Sequence, residues 1–351
     1  MRSAGHSSFI RGAALATALA GASLAATPAF ADERYAAIVM DARTGEVLLD
    51  DHAQEMRYPA SLTKMMTLYM VFDAIQRGDL TLNTRLTASR NATRQPPSRL
   101  GMRCNRRGVC DSITVDQAIR AIAVQSANDV ATMIAERLGG SESRFAAEMT
   151  ARARTLGMSE TRFVNASGLP DPLHHSTARD MAILAQALWR DFPQYYSYFQ
   201  TESFSWGRRY SRNHNHLLGQ VPGLDGIKTG YTRASGFNLA TSTERNGHRV
   251  IVVVLGGESA AARDSQVAYL IDGAFEEYAR RSDPNAAQFA SLPSRRLDVR
   301  LAPGILSAGA GGPSMTAQTV PQGQVVQTLS PIHAPLPPDA VAPGEDEDPN
   351  D

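Results

Sequence analysis

Ser61 and Lys64 stand three residues apart in Ser61-Leu62-Thr63-Lys64. A hydroxyl beside an amine is the pairing that nucleophilic catalysis needs, provided the amine can be neutral. Lysine is scarce here: of 35 basic side chains only Lys64 and Lys228 are lysine and the rest are arginine. A partly desolvated lysine near another cation sheds its proton, whereas an arginine keeps it. Lys228 lies in Lys228-Thr229-Gly230, and Ser126-Ala127-Asn128 falls between the two lysines. The order is therefore S-x-x-K, S-x-N, K-T-G. Each motif alone is ordinary, respectively a capped helix start, a polar break in a helix and a turn. Together, in that order and around the only lysines, they specify a serine nucleophile acting on a carbonyl.

The roles follow. Ser61 is the expected nucleophile and Lys64 its base, with the lysine pKa lowered by Lys228 and partial burial. Ser126 would relay the proton to the leaving amine, and Asn128 would orient Lys64 and the substrate peptide. Lys228 and Thr229 would hold a substrate carboxylate, while Gly230 lets the substrate lie along a strand edge. The N–H groups of Ser61 and Tyr231 would form the oxyanion hole.

Such a site needs elements to position it. The stretch Tyr35–Asp50 reads as a hairpin around Ala42-Arg43-Thr44-Gly45. Pro59-Ala60-Ser61 opens a helix, placing Ser61 and Lys64 on one face where backbone N–H groups point outward. Val115–Leu138 is helical in period with a small polar break at Gln125–Asn128, and it ends at Gly139-Gly140. Helices are also expected at Ser143–Leu156 and Thr177–Trp189. Lys228 opens a strand, and Phe237–Thr243 and His248–Leu255 form a hairpin across an Asn246-Gly247 turn. An amphipathic helix follows over Ala261–Arg281. Strands at both ends with helices between predict an α/β domain in which one antiparallel sheet is completed by both ends, with flanking helices and a mostly helical subdomain.

The rest of the chain bounds the biology. Among 351 residues 43% are hydrophobic and 20% charged, and net charge is zero, so nothing points to nucleic acid as a partner. Residues 1–31 read as an export signal: Arg2 and Arg11 precede an Ala/Leu-rich run, and Ala29-Phe30-Ala31 fits a cleavage site before Asp32. The expected location is the periplasm or cell envelope. An exported chain permits a disulfide between its only cysteines, Cys104 and Cys110. The catalytic domain is expected over 32–283. The segment 284–351 holds 11 of the 19 prolines, ends in an acidic run and reads as a disordered tail, with a strand near Leu297–Leu301 as the alternative. The histidine pairs His174-His175 and His214-x-His216 lack a completing ligand, so no metal and no cofactor is expected.

From about Tyr35 to Arg281 the chain resembles the D-alanyl-D-alanine carboxypeptidases, low-molecular-mass penicillin-binding proteins of the serine peptidase type. The resemblance rests on Tyr58–Thr67, Val124–Asp129, Asn165-Ala166-Ser167-Gly168-Leu169, His175–Asp180 and Asp225–Thr232. It implies a β-lactamase/transpeptidase-like fold. It also implies removal of the terminal D-alanine from peptidoglycan stem peptides through an acyl-enzyme, and acylation by β-lactam inhibitors. Two arginines often assist the carboxylate site in that family. Arg263, six residues after Gly257, matches one; in Asn213-His214-Asn215, His214 stands in for the other and would add binding at mildly acidic pH. Many members end in an amphipathic membrane helix, but the tail here shows no such pattern, so no C-terminal membrane anchor is expected. The Cys104–Cys110 loop replaces a short Pro-Gly turn.

Three rival functions share part of this pattern. A class A β-lactamase would have aspartate where Ala127 stands, and Glu160 lacks that family's spacing. A silent peptidoglycan-binding protein would be expected to lose Ser61 or Lys64. A D,D-endopeptidase that cuts cross-links uses the same residues and is the remaining alternative.

Overall fold

The structure, a computed structural model, describes residues 34–282. The expected export signal, the tail and the strand considered near Leu297–Leu301 lie outside the described residues.

The first hairpin joins β1 (Ala36–Asp41) to β2 (Val47–Asp51). Asp41 holds its turn, because Oδ1 accepts the backbone N–H groups of Arg43 at 2.9 Å and Thr44 at 2.7 Å. A single tight turn over Ala60–Thr63 then leads into α1 (Lys64–Gln76). Two three-residue strands, β3 (Arg85–Thr87) and β4 (Ser112–Thr114), pair and feed α2 (Val115–Gln125). The start of α2 is held by a reciprocal capping box between Thr114 and Gln117. Next come α3 (Asn128–Gly139), α4 (Glu142–Leu156) and α5 (Ala178–Asp191). The chain then makes a small hairpin, β5 (Ser203–Trp206) with β6 (Arg209–Arg212). Three long strands close the sheet: β7 (Leu224–Thr232), β8 (Gly236–Arg245) and β9 (His248–Gly257), followed by α6 (Ala260–Ser282).

The main sheet runs β2-β1-β9-β8-β7 and is antiparallel throughout. Its middle strand, β9, is apolar on both faces because both are covered. Val250, Val252 and Val254 face one core with Val267, Leu270, Ile271 and Ala274 of α6. That helix buries a stripe at the 3-4 spacing a one-sided helix requires. Ile251, Val253 and Leu255 face the larger core, shared with α1, α2, α3 and α5. Truncating a fully buried residue such as Leu270 to alanine would cost about 2–5 kcal/mol.

Three details differ from the sequence-based expectation. Lys228 does not open a strand; it is central in β7, which begins at Leu224. The break expected at Gln125–Asn128 is a full helix end rather than a polar interruption, because Ser126 adopts a left-handed conformation with φ of 59°, ends α2, and α3 starts anew at Asn128. The β3–β4 and β5–β6 pairs were not anticipated.

Candidate active site

Ser61 lies in the Ala60–Thr63 turn, one turn earlier than a true helix start, and Lys64 is the first residue of α1. The lysine side chain folds back along the turn so that Nζ lies 2.9 Å from Ser61 Oγ. Nζ also donates to the carbonyl oxygen of Ser167 at 2.6 Å. Lys64 is fully buried. Burial first, then the positive charge of Lys228, hold its amine well below the usual lysine range, with Asp129 opposing them. A neutral amine in contact with a serine hydroxyl is a competent base.

The Ser167 carbonyl is delivered by a tight loop. Asn165 Oδ1 accepts from the N–H groups of Ser167 at 3.1 Å and Gly168 at 2.7 Å, and its Nδ2 donates to Leu169 O at 3.0 Å. Thr67 Oγ1 of α1 donates to Ala166 O at 2.7 Å. Gly168 has φ of +83°, and a Cβ there would fall 1.8 Å from Ala60 O. The loop therefore presses on the backbone of the Ser61 turn as closely as glycine allows.

A second support comes from beneath. Thr63 Oγ1 meets His174 Nε2 at 2.8 Å, and His174 Nδ1 accepts from Val164 N at 3.2 Å. An acceptor at Nδ1 assigns the neutral ring's proton to Nε2. Burial pushes the His174 pKa down to about 4.

The S-x-N motif spans the junction between α2 and α3. Ser126 Oγ is buried and makes no hydrogen bond, and the residue's left-handed backbone is unusual for a residue other than glycine. The Asn128 amide donates to the carbonyls of Pro96 and Pro97, both at 3.0 Å. Through Nδ2 the side chain fastens the 96–97 loop, while Lys64 Nζ finds its backbone partner in the Ser167 carbonyl. Asp129 tightens the same loop by accepting from the N–H groups of Leu100 at 2.9 Å, Gly101 at 2.7 Å and Met102 at 3.1 Å. Beyond it Cys104 and Cys110 are joined in a disulfide.

The third wall is β7, the end strand of the sheet. Lys228 is buried, and its Nζ donates to Thr229 O at 2.9 Å. A Cβ on Gly230 would lie 3.0 Å from Ser61 N, so the missing side chain lets β7 approach the backbone of Ser61. Tyr231 follows, with its ring 4.3 Å from that of Phe237 on β8. Arg263 on α6 is buried; Nη2 bonds Asp264 Oδ1 at 2.7 Å and Nη1 donates to Asn238 O at 3.2 Å. Asn238 is directly opposite Gly230 in the β7–β8 register. His214 lies in the turn whose neighbour Asn215 donates to Gly226 O of β7 at 3.2 Å.

Ser61, Lys64 and Gly230 are thus drawn into immediate contact, and Ser126 and Asn128 stand on a separately braced wall. The Asn165–Leu169 loop was recognisable as a segment, but a backbone carbonyl leaves no residue-type signal, so its partner could not be read. The sequence marks His174 only as half of a histidine pair without a metal and Asp129 only as the end of a family segment; both are buried, and the meaning of each lies in that burial.

An antiparallel sheet packed between α6 and a helical region, with a serine and lysine paired at its edge, defines the transpeptidase-like class of serine enzymes. Penicillin binding protein 5 from Haemophilus influenzae has this fold, with a TM-score of 0.65 and 31% identity over 69% of this chain and 70% of that one. Penicillin-Binding Protein D2 from Listeria monocytogenes, solved in a cefotaxime-bound form, aligns with a TM-score of 0.58 and 31% identity over 67% of this chain and 96% of that one.

The chain belongs to the D-alanyl-D-alanine carboxypeptidase family, which matches residues 24–259. It is 32% identical over 257 residues to D-alanyl-D-alanine carboxypeptidase DacF of Bacillus subtilis, covering 72% of this chain and 64% of the relative. The chain therefore spans slightly less than two thirds of that relative's length.

Proposed function

We propose that the protein is a serine D-Ala-D-Ala carboxypeptidase that trims the terminal D-alanine from peptidoglycan stem peptides. The observation that carries this reading is the buried Lys64 amine, set between Ser61 Oγ and the Ser167 carbonyl beside a second lysine. Ser61 Oγ attacks the carbonyl of the penultimate D-alanine while Lys64 takes its proton. The oxyanion is met by the N–H groups of Ser61 and Tyr231. Ser126, whose hydroxyl is otherwise uncommitted, passes a proton to the departing D-alanine nitrogen. Water then releases the shortened peptide from Ser61. The substrate's terminal carboxylate is held by Lys228 and Thr229, with Arg263 behind them and His214 at the margin.

The same chemistry opens a β-lactam ring and leaves the drug on Ser61, in keeping with the cefotaxime-bound form of the Listeria protein. The work is done in the periplasm or cell envelope after removal of residues 1–31. Among the described residues no helix is long and apolar enough to cross a membrane. The test is to incubate the protein with monomeric pentapeptide and with cross-linked dimer. D-alanine release from the monomer is the expected result. Loss of dimer without that release would overturn the carboxypeptidase reading in favour of an endopeptidase.

A further inference from the structure

The wall that carries Ser126 and Asn128 continues into a group of arginines that the mechanism does not use. Residues 85–111 contain seven arginines and one acid, Asp111. This stretch is strapped to the cleft. Ser98 Oγ donates to Gln125 O at 2.6 Å, Ser98 O accepts from Asn128 N at 2.7 Å, and Gln125 Nε2 donates to Arg99 O at 2.9 Å. At its tip the disulfide closes a loop on which Arg103, Arg106 and Arg107 are exposed. The β5–β6 hairpin lies alongside, since Arg209 Nη1 donates to Leu100 O at 2.7 Å, and it adds the exposed Arg208 and Arg212.

Elsewhere arginines are commonly neutralised. Arg120 meets Asp116, Arg144 meets Glu148, Arg245 meets Asp272 and Arg249 meets Asp225. Among the described residues, Arg99, Arg103, Arg106, Arg107, Arg208 and Arg212 form no ion pair with a carboxylate; β5 and β6 contain no acid, and Glu202, just before β5, is the one carboxylate at the base of that hairpin. Ordinary surfaces intersperse both signs, because clustered like charges repel and destabilise the compact state. Here a disulfide and a hairpin contact hold the like charges together, next to the wall that bears Ser126.

We propose that this arginine rim is a specificity site for the free carboxylates that a stem peptide carries upstream of its D-Ala-D-Ala end. The inference rests on the carboxypeptidase reading above. A peptide with its terminal carboxylate at Lys228 and its scissile carbonyl at Ser61 leads its remaining residues out past the Ser126–Asn128 wall. Carboxylates on those residues meet guanidinium groups suited to binding them two-pronged. The rim thereby favours acidic stems over stems whose upstream carboxylates are amidated.

The experiment compares kcat/KM for two stem pentapeptides identical except that the upstream carboxylates are free in one and amidated in the other. Both are run on the full chain, on Arg103→Gln/Arg106→Gln/Arg107→Gln and on Arg208→Gln/Arg212→Gln, with thermal melting to confirm folding. The unmodified protein is expected to prefer the acidic peptide about tenfold at low salt, with the preference fading near 0.5 M salt, estimated from a Debye length of about 4–5 Å there. Either set of substitutions lowers the ratio severalfold. A ratio of one in the unmodified protein, or a ratio the substitutions leave intact, overturns the proposal. A second arm measures binding of the labelled peptides to Ser61→Ala by fluorescence anisotropy and needs no turnover. Charge-dependent binding there without turnover in the parent would sink the carboxypeptidase reading and keep the rim. Turnover without charge preference would do the reverse.

Discussion

Lys64 Nζ and the carbonyl oxygen of Ser167, 103 residues apart in the chain, are 2.6 Å from one another. A backbone acceptor on one side and Ser61 Oγ on the other fix the direction of the lysine lone pair once the proton leaves. The proposed base is therefore aimed before substrate arrives, which is where electrostatic preorganisation does most for a rate.

Ser61→Ala is expected to abolish the covalent adduct seen by intact-protein mass spectrometry after incubation with benzylpenicillin. An adduct of unchanged stoichiometry on the variant would move the nucleophile elsewhere.

Lys64→Arg is expected to slow acylation by about a hundredfold or more, the scale of a lost general base, because a guanidinium stays protonated. The unmodified rate should rise with pH and level off well below the usual lysine range, since only the neutral amine accepts a proton. Removing the Lys228 charge in Lys228→Met should move that rise to higher pH, because a neighbouring cation lowers the Lys64 pKa. A rise at lower pH in this variant would contradict the coupling.

Gly168→Ala should damage both folding and acylation. A side chain at φ of +83° aimed at Ala60 O requires the Ser61 turn to shift, and the strain alone is about 1–3 kcal/mol. Thermal melting and the acylation rate should fall together; a variant with unchanged acylation would show that the loop does not hold the turn.

His174 gives a pH signature. The folded ring takes its proton only near pH 4, whereas the free imidazole takes it near 6.5, so between these values the unfolded chain binds more proton. Stability must then fall as pH drops from about 6.5 to 4, by at most about 3 kcal/mol from this residue. In His174→Gln, denaturant unfolding across that window should show a shallower decline. Parallel declines would leave His174 uncoupled from folding.

Arg263→Gln is expected to raise KM for a D-Ala-D-Ala peptide at every pH from 5.5 to 8, with kcat less affected. Its guanidinium already bonds Asp264 and the carbonyl opposite Gly230, so melting temperature must be followed alongside. His214→Gln is expected to raise KM for the same peptide; an unchanged KM would remove it from the site.

Legibility tracked the kind of atom involved. Ser61 and Lys64 are legible as a pair because their spacing brings the two side chains into contact, and the Asn246-Gly247 turn because both residues take positive φ, 52° and 78°. Val250–Leu255 announced a strand by composition alone. By contrast, β3 is Arg-Leu-Thr and β4 is Ser-Ile-Thr, three residues each and without enough pattern to distinguish them from loop. The direction of the Asn128 amide depends on where Pro96 and Pro97 fall, and the second partner of Lys64 is main chain. Both are set by tertiary packing that residue types do not encode.

The register that pairs Ala36 with Leu255 and Asp41 with Val250 ties the beginning of the domain to its last strand. As the ribosome delivers the chain, β1 must wait for nearly the whole domain before its second edge is covered. Until then the apolar run Ala36-Ala37-Ile38-Val39-Met40 offers an open template to any neighbouring chain. A sheet closed this way cannot be completed until β9 has been made, so the assembly of its centre follows synthesis of nearly the whole domain.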